Sequence, residues 1–289
     1  MKIIKATYGD VDCTDVMQKR MKNNILITHS NNNIIGDPST GTVKYLNVEI
    51  EHDEKIHNLS IREGDLLVFP LSTKNKLGIF YSNNNTPEIY PAIRASLASI
   101  KKAAEGKADI LTCMWQHEPE NPFVEYIAWT KTSSHLNQLL QIMQLLYAAR
   151  EIHNYEYVSF LEHDVLYPEG YFDYPEFNNG EVITNMNYMG INKMGWQDKT
   201  ADHEPFHQMT MKFADAITHC EEILANALIT NSGMIEPQYI KRRKWKCINP
   251  AVHINHGKHF TSHYSIYNTH DLYLNQDYWG NHSDYLHLL

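Results

Sequence analysis

Cysteine is scarce in this chain and scattered. Cys13, Cys113, Cys220 and Cys247 lie far apart in 289 residues and form no Cys-x-x-Cys pair. No disulfide framework or thiolate zinc knuckle is written there, and four free thiols in a reducing compartment are expected. A run of about 18 apolar residues is also missing, which excludes a membrane-spanning helix from the expectation. The opening Met1-Lys2-Ile3-Ile4-Lys5 lacks the apolar stretch of a secretory signal, so a cytoplasmic location is expected. There is no Gly-x-x-x-x-Gly-Lys-Ser/Thr loop and no Gly-x-Gly-x-x-Gly, which leaves P-loop ATP hydrolysis and dinucleotide binding unsupported. No Gly-x-Ser-x-Gly elbow marks a serine hydrolase. Positive charge is short as well. The formal net charge of −9 argues against a protein that coats polyanions indiscriminately, although a local basic groove is compatible with it. What is abundant is histidine, 17 residues, and tyrosine, 18 residues, side chains that suit a polar or metal-binding site.

The first 72 residues read as β structure. Apolar or β-branched runs at Ile3–Tyr8, Ile25–Thr28, Val43–Ile50, Ile56–Ile61 and Leu66–Phe69 are separated by Asn31-Asn32-Asn33, Gly36-Asp37-Pro38 and Glu63-Gly64-Asp65. Residues 11–22 leave room for one short helix. Successive short strands of this kind predict a small, sandwich-like all-β domain over residues 1–73.

Near Lys74-Asn75-Lys76 the pattern changes, and strands begin to alternate with helices. Leu77–Tyr81 is a predicted strand ending in Ser82-Asn83-Asn84-Asn85. A helix follows from Thr86 and Pro87, with Ile93, Leu97, Ile100 and Ala104 at helical spacing. Asp109–Met114 is a second strand, and the long loop from Trp115 to Thr132 is a candidate for function. Residues 134–152 form a helix with Leu136, Leu139, Leu140, Met143 and Tyr147 on its buried face. Tyr157–Leu161, Glu181–Asn187 and Ala251–Ile254 are further strands. Phe213, Ile217, Cys220, Leu224 and Leu228 mark a helix over about 207–228. This alternation predicts an α/β domain over residues 74–289, with a mostly parallel sheet flanked by helices. In such sheets ligands bind beyond the carboxyl ends of the strands, which directs attention to Ser82–Asn85, Gln116–Glu118, Glu162–Asp164 and the residues after Ile254.

Three segments could carry chemistry. In the first, the apolar strand 157–161 delivers Glu162 and Asp164, one residue apart. Extended residues at that spacing point the same way. Paired carboxylates suit Mg²⁺ or Mn²⁺ bound together with a substrate phosphate. The plainer reading is that both cap a turn and face water. The second segment holds His253, His256, His259 and His263 within eleven residues. Gly257 and the β-branched neighbours argue for a loop rather than a helix, so at most one or two of these imidazoles converge on an ion. His253 lies on the strand before that loop and is expected to matter little to metal binding. The third is the basic run Lys241-Arg-Arg-Lys-Trp-Lys246, either a contact for a diphosphate or nucleic acid or a solvated helix end.

At these residues the chain resembles GT-A-type glycosyltransferases of phage and bacterial origin. In that group a Glu-His-Asp-Val-Leu-Tyr-Pro segment stands in the place of the Asp-x-Asp motif, and Glu162 to Pro168 are similar to it, followed by the aromatic Phe172. Gly78-Ile-Phe-Tyr-Ser-Asn-Asn84 resembles the group's first strand and base-contacting turn. His256-Gly-Lys-His-Phe-Thr261 resembles its His-Gly-x-Asn-x-Thr element, with His259 in place of Asn and His263 where an Arg is common. Met234-Ile-Glu-Pro237 is similar to its Glu-Pro segment. Residues 3–70 separately resemble a small β domain appended to various bacterial and phage enzymes and some DnaJ-like proteins. The matching pieces are Ala6-Thr-Tyr-Gly-Asp10, Thr14-Asp-Val16, Gly36-Asp-Pro-Ser-Thr-Gly41 and Lys44-Tyr-Leu-Asn-Val48.

The resemblance implies a GT-A-like fold and a metal-dependent transfer of sugar from a nucleotide diphosphate sugar to a hydroxyl. Glu162, Asp164 and His256 would hold Mn²⁺ or Mg²⁺. Tyr81, Asn83 and Asn84 would meet the nucleotide, with His163 and His259 also on the donor. Asp164 would act through the ion, and Glu236 is the candidate general base, with Asp202 and Glu204 behind it. The acceptor is open. A phage-type enzyme in host cytoplasm would make a modified base in DNA one candidate, with no membrane involved. Two other readings stand beside this one: a metal-dependent hydrolase built on the histidine cluster, and a sugar- or nucleic-acid-binding protein without turnover.

Overall fold

The structure, a computed structural model, describes all residues except 23, 71, 83–86, 132–133, 194, 199–207, 231–240 and 255–271. The chain divides into two compact units. The smaller comprises Met1–Thr73 with Pro122–Val124 and Arg150–His153, and the larger holds the rest.

The smaller unit runs β1 (Lys2–Tyr8), β2 (Val11–Asp12), α1 (Thr14–Arg20), β3 (Leu26–His29), β4 (Tyr45–His52), β5 (Lys55–Arg62) and β6 (Leu66–Phe69). β2-β1-β4-β5 form an antiparallel sheet, and β3 pairs with β6. Alternation does the sorting. On β4, Leu46, Val48 and Ile50 point inward while Tyr45, Asn47 and Glu49 point outward. The inward set packs with Ile3, Ala6, Tyr8, Met17 and Leu26 into one core. The connection from β3 to β4 is pinned by Lys44, only 5% exposed. Its ammonium lies 2.9 Å from Asp37 and 3.3 Å from Glu63. Tyr8 donates its hydroxyl hydrogen to Glu63 at 2.9 Å. Burial, then the Glu63 carboxylate, pushes the Tyr8 phenol up to about 12.

The larger unit continues with β7 (Lys76–Tyr81), α2 (Tyr90–Ala104), β8 (Asp109–Met114), β9 (Val124–Ile127), α3 (His135–Ile152), β10 (Tyr157–Glu162), β11 (Val165–Leu166) and β12 (Glu181–Asn185). Then come β13 (Tyr188–Asn192), β14 (Gly195–Asp198), β15 (Met209–Lys212), α4 (Phe213–Thr230), β16 (Lys241–Trp245), β17 (Ala251–Ile254) and β18 (Leu272–Tyr273). Seven strands form one sheet in the order β16-β12-β15-β10-β7-β8-β9. β7 is parallel to both β8 and β10, β16 is parallel to β12, and β15 is antiparallel to both of its neighbours. The carboxyl ends of β7, β8, β10, β12 and β16 therefore share one edge. A second sheet runs β11-β17-β13-β14-β18. The molecule is thus an α/β protein with a mostly parallel sheet beside antiparallel pairs. Among the described residues no helix is long and apolar enough to cross a membrane.

Gly78 marks the tightest point of the large sheet. A Cβ there would lie 2.5 Å from Ile110 Cδ1 and 2.8 Å from Leu161 Cδ1. The neighbouring strands close over β7 at a position where no side chain fits.

Several expectations need correction. The helix of α4 begins at Phe213, because Met209–Lys212 is drawn into the sheet as β15. Leu228, expected on its buried face, is 69% exposed, and Ala227 is buried instead. On α3 the buried face is Leu139, Ile142, Met143 and Leu146, with Asn137 and Gln141 also buried. Leu136, Leu140 and Tyr147 are only half-buried. The helix is rotated so that two polar side chains point inward, and their partners explain why. The basic run is neither a helix end nor a loop. Lys241–Trp245 is an edge strand in register with Glu181–Asn185, and Lys241 lies 2.6 Å from Glu181. Charged side chains on an edge strand discourage pairing with other chains.

Candidate functional site

The strand β10 is fully buried until its last residue, Glu162. There the chain turns at His163 and Asp164 and enters β11, so the segment passes from the large sheet into the second one. The extended-chain argument for Glu162 and Asp164 fails at this turn. Each carboxylate has hydrogen-bond partners of its own.

Glu162 sits in register with Tyr81 at the end of β7. Its Oε1 accepts from the Tyr81 hydroxyl at 3.1 Å and from Gln138 Nε2 at 2.8 Å. Burial, then the Glu162 charge, holds the Tyr81 phenol well above its usual range. Tyr81 therefore stays protonated and acts as a donor. The backbone N–H of Glu162 donates to the Tyr167 hydroxyl at 2.8 Å. Gln141, one helical turn after Gln138, clamps the backbone of Ser82. Its Oε1 accepts from Ser82 N at 3.1 Å and its Nε2 donates to Ser82 O at 3.0 Å. Spacing of i and i+3 on α3 thus sets both amides against the ends of two adjacent strands.

Asp164 is 2% exposed. Its Oδ2 lies 3.0 Å from His253 Nε2, and His253 is itself 4% exposed. The backbone explains the meeting. Val165 pairs with His253 across β11 and β17, and Ile254 N donates to the Asp164 carbonyl at 2.7 Å. His253, read from the sequence as a strand residue of little consequence for metal binding, is a direct partner of Asp164. α2 secures the same turn, since Ser96 Oγ donates to the His163 carbonyl at 2.9 Å. Ser99 Oγ accepts from Tyr167 N at 3.0 Å. His163 itself is half-buried.

Beyond the carboxyl end of β8 a second polar cluster lies on the same edge of the sheet. Glu118 is 1% exposed and lies 3.3 Å from Arg94 Nε. Glu125 Oε2 lies 2.5 Å from Nδ1 of the exposed His117, and its Oε1 accepts from Glu118 N at 3.1 Å. The buried carboxylate orients the imidazole.

Of the sequence candidates, Tyr81, Glu162, His163 and Asp164 are thus gathered at the ends of β7 and β10. Asn83, Asn84, Asp202, Glu204, Glu236, His256 and His259 lie outside the described residues. Among the described residues no three His, Cys, Asp or Glu side chains cluster as a metal site. Sequence reading missed Gln138 and Gln141, and it named His253 without its partner Asp164. The signal for the first two was two polar residues three apart on an otherwise apolar helix face. For His253 it was an imidazole set on the apolar strand Ala251–Ile254 rather than in the loop after it.

No protein-family model matches the chain, and no curated protein sequence matches it. Solved structures give more distant likenesses. One is a glycosyltransferase involved in the glycosylation of the major capsid of PBCV-1. It is 10% identical with a TM-score of 0.40, over 61% of this chain and 92% of that one. Another is S. aureus TarS 1–349 in complex with UDP-GlcNAc, 10% identical with a TM-score of 0.39, over 62% of this chain and 58% of that one.

Proposed function

We propose that the chain is a metal-dependent glycosyltransferase that moves a sugar from a nucleotide diphosphate sugar to a hydroxyl acceptor. In this reading residues 74–289 are the GT-A-like catalytic domain and residues 1–73 an accessory β domain. The observation that carries it is the buried Asp164, held by His253 on the turn that leaves the carboxyl end of β10, with Glu162 next to it. A buried carboxylate costs several kcal/mol unless partners such as His253, or a bound ion, offset it. The sequence resemblance of Glu162 to Pro168 supplies the use.

The donor types fit the ion. Carboxylate oxygens and imidazole nitrogen suit Mn²⁺ or Mg²⁺ better than thiolate-seeking metals, and all four cysteines are free and buried away in the core. Asp164 and Glu162 would hold the ion, and His256 remains the candidate third ligand. When bound, the ion would neutralise charge on the leaving diphosphate. Tyr81, fully buried with its hydroxyl on Glu162, would back the turn from which Asn83 and Asn84 would meet the donor nucleotide, with His163 and His259 along the diphosphate. Glu236 is the candidate base for an inverting reaction. A modified base in DNA is one candidate acceptor, supported by the exposed basic edge strand Lys241–Trp245.

Calorimetric titration of the full chain with UDP and GDP, with and without Mn²⁺, tests the reading. A diphosphate that binds only with the ion is the expected result. Equal affinity without Mn²⁺ would remove the metal from the site and favour a binding protein without turnover.

A further inference from the structure

The smaller unit carries a groove of about 380 Å³ on the outer face of its four-stranded sheet. That volume falls in the range of small-molecule sites. Its lining is arranged by strand register. Lys5, Glu49 and Asn58 form one row across β1, β4 and β5, and Thr7, Asn47 and Ser60 form the next. Each row is one pleat, and the two rows lie on the outward side of all three strands.

We propose that this groove binds a neutral saccharide. The chemistry of the lining selects the ligand class. Among the lining residues the one cation, Lys5, stands directly opposite the one carboxylate, Glu49, and Asp12 of β2 continues the Thr7 row, so the rows carry no excess of positive charge. A polyanion such as DNA would find no excess of positive charge there. The remaining groups are two amides and two hydroxyls, which both donate and accept. Vicinal hydroxyls of a sugar ring require that mixture. Ser60 Oγ already donates to Asn47 Oδ1 at 2.7 Å, which leaves the Asn47 amide hydrogens aimed by a fixed partner. Tyr45 precedes Asn47 by two residues on the same face and is 47% exposed. Its ring offers an apolar surface for the C–H face of a pyranose, with a hydroxyl at the tip. All of these groups stand on strands rather than loops, so little ordering is lost on binding. The inference stands apart from the transfer reading, since it concerns a different unit and needs neither metal nor nucleotide.

The test is titration of the full chain with maltotetraose, cellotetraose, chitotetraose and mannotetraose, followed by saturation-transfer NMR and calorimetry. A duplex oligonucleotide is the polyanion arm. At least one saccharide should bind, and Asn47→Ala and Glu49→Ala should each weaken it by about tenfold or more with unchanged melting temperature. Tyr45→Ala should remove the ring contacts seen by saturation transfer. Asp164→Asn should leave this binding intact. Lack of binding to all four sugars overturns the proposal. So does binding that survives both variants, binding that disappears in Asp164→Asn, or binding of the oligonucleotide in the groove in place of sugar.

Discussion

His253→Ala removes the imidazole that faces Asp164. Both side chains are nearly inaccessible, at 4% and 2% exposed, and their contact is 3.0 Å. The cost has two parts. A hydrogen bond to a charged group contributes about 1.5–3 kcal/mol, and breaking a buried pair costs about 3–5 kcal/mol when the remaining charge stays buried. Asp164 keeps its peptide-level hold through Ile254, which limits the relaxation that could rescue it. A loss of about 3 kcal/mol follows. For a unit of roughly two hundred residues each kcal/mol moves the melting temperature by about 2–4 °C, so a drop of about 6–12 °C is expected. Differential scanning calorimetry of the full chain measures it. His253→Gln, which keeps a donor, should fall by less. In a double-mutant cycle with Asp164→Asn the two effects should be far from additive. A shift under about 1 °C for His253→Ala, or strict additivity, would show that the pair holds nothing in place.

The other predictions follow from separate features. Asp164→Asn should abolish Mn²⁺-dependent diphosphate binding while circular dichroism stays unchanged, and retained turnover at limiting Mn²⁺ would refute the metal assignment. Gly78→Ala forces a methyl to within 3 Å of Ile110 and Leu161, so it should destabilise the larger unit by about 1–3 kcal/mol in urea unfolding. Burial raises the thiols of Cys13 to about 11 and of Cys113 and Cys220 to about 12, and raises that of Cys247 as well. Ellman's reagent at pH 8 should therefore label none of the four in the native protein and all four in denaturant. The Lys44 ammonium holds the Asp37 carboxyl below its ordinary value, and the Tyr8 hydroxyl, then the Lys44 backbone N–H and ammonium, do the same for Glu63, so their contribution is present above the usual carboxylate range and is lost as pH falls through and below it. Lys44→Met should make the loss of stability on acidification shallower, as followed by far-ultraviolet circular dichroism.

Much of the fold was legible because each element follows from a local period. The strands at Leu66–Phe69, Asp109–Met114 and Ala251–Ile254 have the bounds read from the sequence, and the stripe Ile93, Leu97, Ile100 and Ala104 is buried on α2. Those runs are uninterrupted, and neighbours in the chain decide them. The misreadings share one cause. Met209–Lys212 and Lys241–Trp245 have weak patterns of their own and become strands because β10 and β12 offer them ladder partners. Leu228 continues the helical period but faces water, while Ala227 beside it is buried.

The candidate site divides in the same way. The sequence alone determined that an apolar strand delivers Glu162-His163-Asp164 to the carboxyl edge of a parallel sheet, since strand, turn and acidic residues are all local. It did not determine what Asp164 touches. His253 is 89 residues further along the chain, and only the antiparallel pairing of Val165–Leu166 with Val252–His253 brings the two side chains together. Gln138 and Gln141 likewise looked like flaws in an apolar helix face until the packing of α3 set their amides against Glu162 and Ser82. A local period is set by backbone geometry, which every residue carries with it. A buried polar contact depends on which distant strand supplies the partner, and that is decided only when the two sheets close on one another.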